Sequence, residues 1–442
     1  MLLEFRTKNF KSFKNELVFS MMPAPKQTGL NYSVLNEKIG SEMYKGLSSA
    51  VIYGPNASGK SNIIGAMEVL KTIILRGNIR NNDGRNMPNA AANTLELIPN
   101  SKNKEKLPID FAIKFIEKGL VFEYNLSLDI GGFLEADYNR RIISESLYIN
   151  ENLIFSRSNK LEFGDFKVIK SYLVNEFEEN ATGATTLAKS NLNSEELFLM
   201  NGFKAMFSSK LVSIISSWLE NRFMVIYRAD SLSLIKKFSD PKKQTVYIEK
   251  TTNDAARVFG INSNALGYIG AEDENDAKLC SIFDGKDNNT AIAAELFESY
   301  GTIRFVNMFP LVINALINGG TLVVDEFDAS LHPMAVMSII NIFHNDDINT
   351  KNAQLIFNTH NPIFLNSNLF RRDEIKFVER DDRTHCSTHY SLSDFGTSGD
   401  NGVRKHEDYL KHYFISKYGA IKDVDFTPIF ENIISNSNRK EV

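Results

Sequence analysis

An α/β fold is expected for this chain, and three features of the sequence predict it. The apolar run SAVIYG (49–54) breaks at Gly54-Pro55, and Ile63, Ile64, Met67, Leu70 and Ile74 then recur at helical spacing between Lys60 and Leu75. Two further apolar runs, TLVVD ending at Asp325 and QLIFNTH ending at His360, flank a second helical stretch at 333–344. Between about 107 and 155 the segments IDFAIKFI, LVFEYNLSL and ESLYIN alternate apolar with polar residues, with IGG and NEN as turns. Buried strands traded with helices, beside a run of alternating strands, predict mixed sheets with helices packed on them.

The other elements follow in chain order. Residues 1–20 read as two strands around KNFKSFKN, and 77–93, rich in Asn, Gly and Arg, as an exposed loop. The stretch 165–285 reads as helical, including EELFLMNGFKAMFSSKLVSIISSWLENRF, with no sustained heptads and so no coiled-coil arm. A helix is expected around 288–318, after FESYGTIRF, and the tail 375–442 should hold one or two strands and a helical end. The expected division is 1–164, a first lobe; 165–285, a helical insert; 286–395, a second lobe; and 396–442, a helical tail.

Composition excludes several classes. With 442 residues, 43% hydrophobic and 24% charged, the chain has the balance of a globular protein of two or three packed units. A net charge of −4 argues against a generally basic nucleic-acid coat, although Arg76, Arg80 and Arg85 make a local basic patch. Cys280 and Cys386 are too few for a disulfide framework, and the charged MLLEFRTKNFKSF start does not read as a signal peptide. No run approaches the roughly 18 apolar residues of a membrane helix, so a cytoplasmic location without a membrane is expected.

Three motifs carry chemistry. GPNASGKS, from Gly54 to Ser61, matches G-x-x-x-x-G-K-[ST] with a strand before it and a helix after it. Such a loop curls backbone N–H groups around phosphates, Lys60 places a charge on the β- and γ-phosphates, and Ser61 offers a hydroxyl to Mg²⁺. Asp325 stands at the tip of TLVVD, suited to the metal, and Glu326 beside it suits polarising a water. His360 closes a third buried strand, and strand carboxyl ends in α/β sheets gather ligands. Ser299 or Thr302 could cap the helix that follows FESYG.

In this order, P-loop, S-x-G-T, VVDEFDASLHP and a strand ending in T-H, the chain resembles the ABC-type ATPase superfamily, in the branch of the SMC, Rad-fifty and RecF proteins. Its start, LEFRTKNFKSFKNELVFSM, and its LSDF…YLKHYFISKYGAI tail are most similar to the stand-alone AAA-fifteen ATPases of abortive-infection and anti-phage systems. The resemblance implies an ABC-ATPase-like P-loop fold binding ATP and Mg²⁺. It implies nucleotide contacts from Lys11, Ser12, Gly54, Asn56, Ala57, Ser58, Gly59, Lys60, Ser61 and Asn62, with Ser61 and Asp325 on the metal. Glu326 would be the catalytic base, acting with Lys60, and His360 the switch histidine. Asp328 would lie in a D-loop at a dimer interface, and Ser299 and Gly301 in a signature that meets the γ-phosphate of the other protomer.

Two departures stand out. Tyr300 replaces the first signature glycine, and no glutamine lies between the P-loop and residue 160. The resemblance further implies an ATP-sandwiched homodimer or higher oligomer and a separate nuclease effector of the TOPRIM or HNH type, with DNA or a phage protein as trigger. The alternative is a RecF- or SMC-like repair ATPase that binds DNA directly; a transporter subunit fits less well. Arg380 and His385 match the R-x-x-x-x-H spacing of HEPN ribonucleases, but EIKFVE and CSTHYSL around them predict a hairpin with a solvated tip.

Overall fold

The run SAVIY is buried at every position and apolar after Ser49 because the strand it forms, Ser49–Tyr53, lies inside a six-stranded sheet and is covered on both faces. Its alternate residues divide between two cores: Ala50 and Ile52 face one, Val51 and Tyr53 the other. The sheet order is Phe223–Ile226, Thr321–Val324, Gln354–Asn358, Ser49–Tyr53, Ile375–Arg380, Ser387–Ser391. The first five strands are mutually parallel and the sixth is antiparallel. This is a computed structural model, and it describes all residues except 26, 28, 81–94, 136–137, 176, 229–244, 248–249, 262, 271–276, 284–289, 398–401 and 439–442. Most of the expected 77–93 loop, Arg85 included, therefore lies outside the described residues.

The second large sheet is antiparallel and seven-stranded. Its order is Leu161–Phe163, Asn152–Arg157, Arg141–Ile149, Leu120–Asp129, Ile109–Glu117, Leu2–Lys8, Leu17–Ser20. The helix Lys60–Arg76 shares one core with this sheet through Ile63, Ile64, Met67, Leu70, Ile73 and Ile74. Trp218 is part of that core. It stacks on Phe115 at 3.9 Å and on Phe223 at 5.0 Å between ring centroids, so it joins a strand of each large sheet.

Local structure differs from expectation in four places. A hairpin, Val34–Ile39 with Glu42–Leu47, was not anticipated. The stretch 165–285 holds the helices Phe177–Ser190, Ser209–Ser217 and Lys250–Phe259, but also the edge strand Phe223–Ile226 and most of a four-stranded antiparallel sheet ending with Thr290–Ala293. FMVI is too short for a helix and gains its backbone partners by pairing with Thr321–Val324. The helix expected over 288–318 is a strand, a single turn (Ala294–Phe297), and a long helix, Tyr300–Asn318, because Ser299 starts a new helix as its cap. That long helix is apolar enough to cross a membrane by length and composition, contrary to the sequence count, yet its buried face packs on Leu322 and Val324 of the sheet. Arg80 of the basic patch is neutralised by Glu195 at 3.1 Å and Glu196 at 2.7 Å.

Candidate nucleotide site

Five parallel strands end on one edge of the central sheet, so Gly54, Asp325, the Thr359-His360 pair and Arg380 emerge on the same side. Of these, His360 and Arg380 line a cleft of about 600 Å³ at the start of the helix Lys60–Arg76, while Gly54 and Asp325 do not line it but are hydrogen-bonded to Lys60 and Ser61, which do. Asn56, Ala57, Ser58, Gly59, Lys60, Ser61 and Asn62 line it, together with Lys11, Ser12, Glu326 and His360.

The loop is tightly built. Gly59 caps the helix at φ 109°, and a Cβ there would lie 2.6 Å from Ser12 Oγ, so only glycine lets the two segments meet. Ser12 Oγ in turn accepts from Asn62 Nδ2 at 2.8 Å. Lys60 is 5% exposed, and its ammonium donates to the carbonyls of Gly54 at 2.8 Å and Pro55 at 3.1 Å. Burial lowers its pKa to about 8, against the opposing pull of Asp325 and Glu326. Lys11 is held by Glu96 at 2.6 Å and by the Tyr227 hydroxyl at 3.1 Å.

Asp325 is the hub of the acidic side. Its Oδ1 accepts from Ser61 Oγ at 2.8 Å and from Asn358 Nδ2 at 2.5 Å. Asn358 also accepts the Glu326 N–H at 2.5 Å and so fixes the turn after the strand. Glu326 takes φ 51°, and its carbonyl accepts from Arg304 Nη2 at 2.5 Å. Its side chain is exposed at the cleft. Partial burial, and next the charge of Lys60, hold His360 below the ordinary histidine pKa. Burial raises the Asp328 pKa, against a hydrogen bond from Thr359 and the charges of His360 and Arg304.

Ser299, Gly301 and Asp328 do not line this cleft. Ser299 Oγ caps its helix by accepting from the Thr302 N–H at 3.1 Å. A Cβ on Gly301 would meet the Ser330 carbonyl at 2.4 Å. Gly301 is therefore required by its own chain, through the turn that follows Asp328, whatever approaches it from outside. Tyr300 is 59% exposed.

Sequence reasoning missed four residues here. Asn358 and Arg304 brace the Asp325-Glu326 turn from buried positions. Arg380 and His385, expected on a hairpin with no part in the nucleotide site, line the cleft. The hairpin itself is present, pairing Ile375–Arg380 with Ser387–Ser391. Arg380 reaches from it to the Ala57 carbonyl at 3.4 Å and to the His385 carbonyl at 3.1 Å. The signal was available: EIKFVER is another buried strand ending in a polar residue.

Do these groups fit ATP and Mg²⁺? Ser61 and Asp325 form an oxygen-only pair, suited to a hard dication. Lys60 and the helix start supply positive potential at one end of a roomy cleft, and the buried Ser58 hydroxyl has no partner among the described residues. The fit is good. Fold and site together define a P-loop protein of the ATPase type.

The chain belongs to the family described as "AAA domain, putative AbiEii toxin, Type IV TA system", which it matches over residues 49–366. No protein of curated function matches it significantly. Among solved structures it is similar to the SMC head domain from Thermotoga maritima, at 14% identity and a TM-score of 0.38, over 88% of this chain and 98% of that one. It is also similar to an SmcHead bound to the C-winged helix domain of ScpA, at 14% identity and a TM-score of 0.39, over 89% and 98%. A third is an Smc head with an extended coiled coil bound to the C-terminal domain of ScpA derived from Pyrococcus furiosus, at 14% identity and a TM-score of 0.37, over 89% and 96%.

Proposed function

We propose that this chain is a Mg²⁺-dependent switch that binds and hydrolyses ATP between two copies of itself. The observation that carries this reading is the meeting of Lys60, Ser61, Glu326 and His360 at one cleft that Ser299 and Gly301 do not reach. Lys60 and the backbone amides at the start of its helix would hold the phosphates, and Ser61 and Asp325 the dication. Bound Mg²⁺ supplies neutralisation of phosphate charge. Glu326 accepts a proton from the attacking water, and His360 donates a hydrogen bond toward the γ-phosphate position. Ser299 and Gly301 complete the site of the other protomer, at a helix N-terminus suited to an anion.

The wider role is regulation of a nuclease partner of the TOPRIM or HNH type in defence against phage. The family description, which names a putative toxin of a Type IV TA system, supports a toxin–antitoxin setting for this role. The AAA-fifteen resemblance supports the role itself, though its end segments fall outside the matched 49–366. Exposed Phe426, Ile429, Phe430 and Ile434 on the terminal segment and helix Thr427–Asn438 provide an apolar face suited to a protein partner. A cytoplasmic setting accords with Cys280 and Cys386 as free thiols.

The test is a pair of variants. Glu326→Gln should accumulate an ATP-bound dimer or higher oligomer by light scattering. Ser299→Arg should lose hydrolysis while retaining nucleotide binding. Normal hydrolysis by Ser299→Arg sinks the shared site. Strong stimulation of hydrolysis by DNA alone, with no nuclease co-purifying, would favour direct DNA binding instead.

A further inference from the structure

Away from the P-loop, a second pocket carries positive charge that forms no ion pair at Arg372 or Lys405 among the described residues. It lies between Gly29 and Leu30, the segment Phe370 to Arg372, and the tail at Lys405 and Tyr409, and encloses about 90 Å³. Arg371 has its charge matched: Nε and Nη2 donate to Asp373 at 2.9 and 2.8 Å, and Nη1 to the Gly29 carbonyl at 2.8 Å. Arg372 does not. It is 5% exposed, and its Nη2 donates only to the carbonyls of Leu392, at 3.4 Å, and Phe395. Its Nε is buried without a hydrogen-bond partner.

Lys405 closes the opposite wall. A Cβ on Gly29 would lie 2.3 Å from its ammonium nitrogen, so the side chain extends directly over that glycine. Neither Arg372 nor Lys405 forms an ion pair among the described residues. Arg372 and Lys405 thus both line one small cavity whose described lining holds no carboxylate, and Asp373 is already taken by Arg371. Burying a guanidinium without a counter-charge is costly, and an unpartnered buried N–H adds to the cost. Stapling the 392–395 turn accounts for Nη2 of Arg372. It accounts neither for Nε nor for Lys405.

We propose that this pocket binds a small tetrahedral oxyanion of the phosphate class, at a site separate from the P-loop. The cavity admits a phosphoryl group and is too small for a nucleoside. The oxyanion would accept from Arg372 Nε and pair with Lys405, tying the tail to the segment after the strand Gln354–Asn358. The source is either free phosphate or the phosphoryl group of a small monoester.

The test uses the full chain carrying Lys60→Ala, which silences the P-loop. Titration calorimetry is run with inorganic phosphate and, in parallel, with glycerol phosphate; the tighter of the two identifies the source. Binding should persist in Lys60→Ala and weaken about tenfold or more when Lys405→Glu is added, since a charged hydrogen-bond partner is lost. Lys405 is exposed, so this variant should melt as its parent does without phosphate. Arg372→Lys, which retains the charge but removes the Nε donor, should also weaken binding. Absence of binding in Lys60→Ala, or equal binding after Lys405→Glu, overturns the proposal.

Discussion

Lys60 is buried among carbonyls, and that burial makes the cleft sensitive to pH. Its folded pKa of about 8 lies below the ordinary 10.5. Its contribution to stability is therefore fully present above about 10.5 and is lost as pH falls through about 8. Phosphate favours the charged form, so nucleotide affinity should run the other way and fall as pH rises through about 8. Near that pH, ATP binding should take up a proton, visible as a buffer-dependent heat in calorimetry. A heat independent of the buffer would contradict this. Arg380 gives a second prediction at this scale. It bridges the hairpin to the P-loop at the cleft, so Arg380→Ala should weaken nucleotide binding about tenfold with little change in melting temperature. Arg380→Lys should not restore it, since an ammonium cannot reproduce the two-nitrogen bridge to Ala57 and His385.

The helix Tyr300–Asn318 and the turn after Thr321–Val324 act as one piece. Arg304 binds the Glu326 carbonyl, and Gly301 lies against the Ser330 carbonyl. A change at Glu326 is thus mechanically close to the helix start that carries Ser299. Gly301→Ala puts a methyl group 2.4 Å from a backbone oxygen that has no flexible side chain to move aside. It should cost about 1–3 kcal/mol of stability, read as a lower urea midpoint. Unchanged stability would mean that the turn yields freely. Tyr300, exposed between these residues, has no role within the chain that its contacts explain.

Across the whole molecule, the two large sheets are joined at the stack of Phe115, Trp218 and Phe223. Trp218→Ala removes the middle ring and should cost about 3–5 kcal/mol, measured by chemical denaturation. The same stack shows why the expectation for 165–285 was incomplete. Helical periodicity was readable up to Trp218, but FMVI is a strand only because Thr321–Val324 lies beside it. Four apolar residues carry no period that separates a strand from a helix end.

What the sequence determined by itself was local and strongly typed: the glycine and lysine spacing of the loop, the apolar runs ending in Asp325 and His360, and a cap at Ser299 or Thr302, of which the structure uses Ser299. Each follows from short-range rules, since a phosphate loop needs particular residues at fixed spacing and a buried strand needs an unbroken apolar run. The tertiary structure decided the rest. It brought Arg380 and His385 to the cleft, set Asn358 and Arg304 as braces, and gave Gly301 a partner in Ser330. Those contacts join residues far apart in the chain, and only the order of parallel strands in the central sheet puts them on one edge.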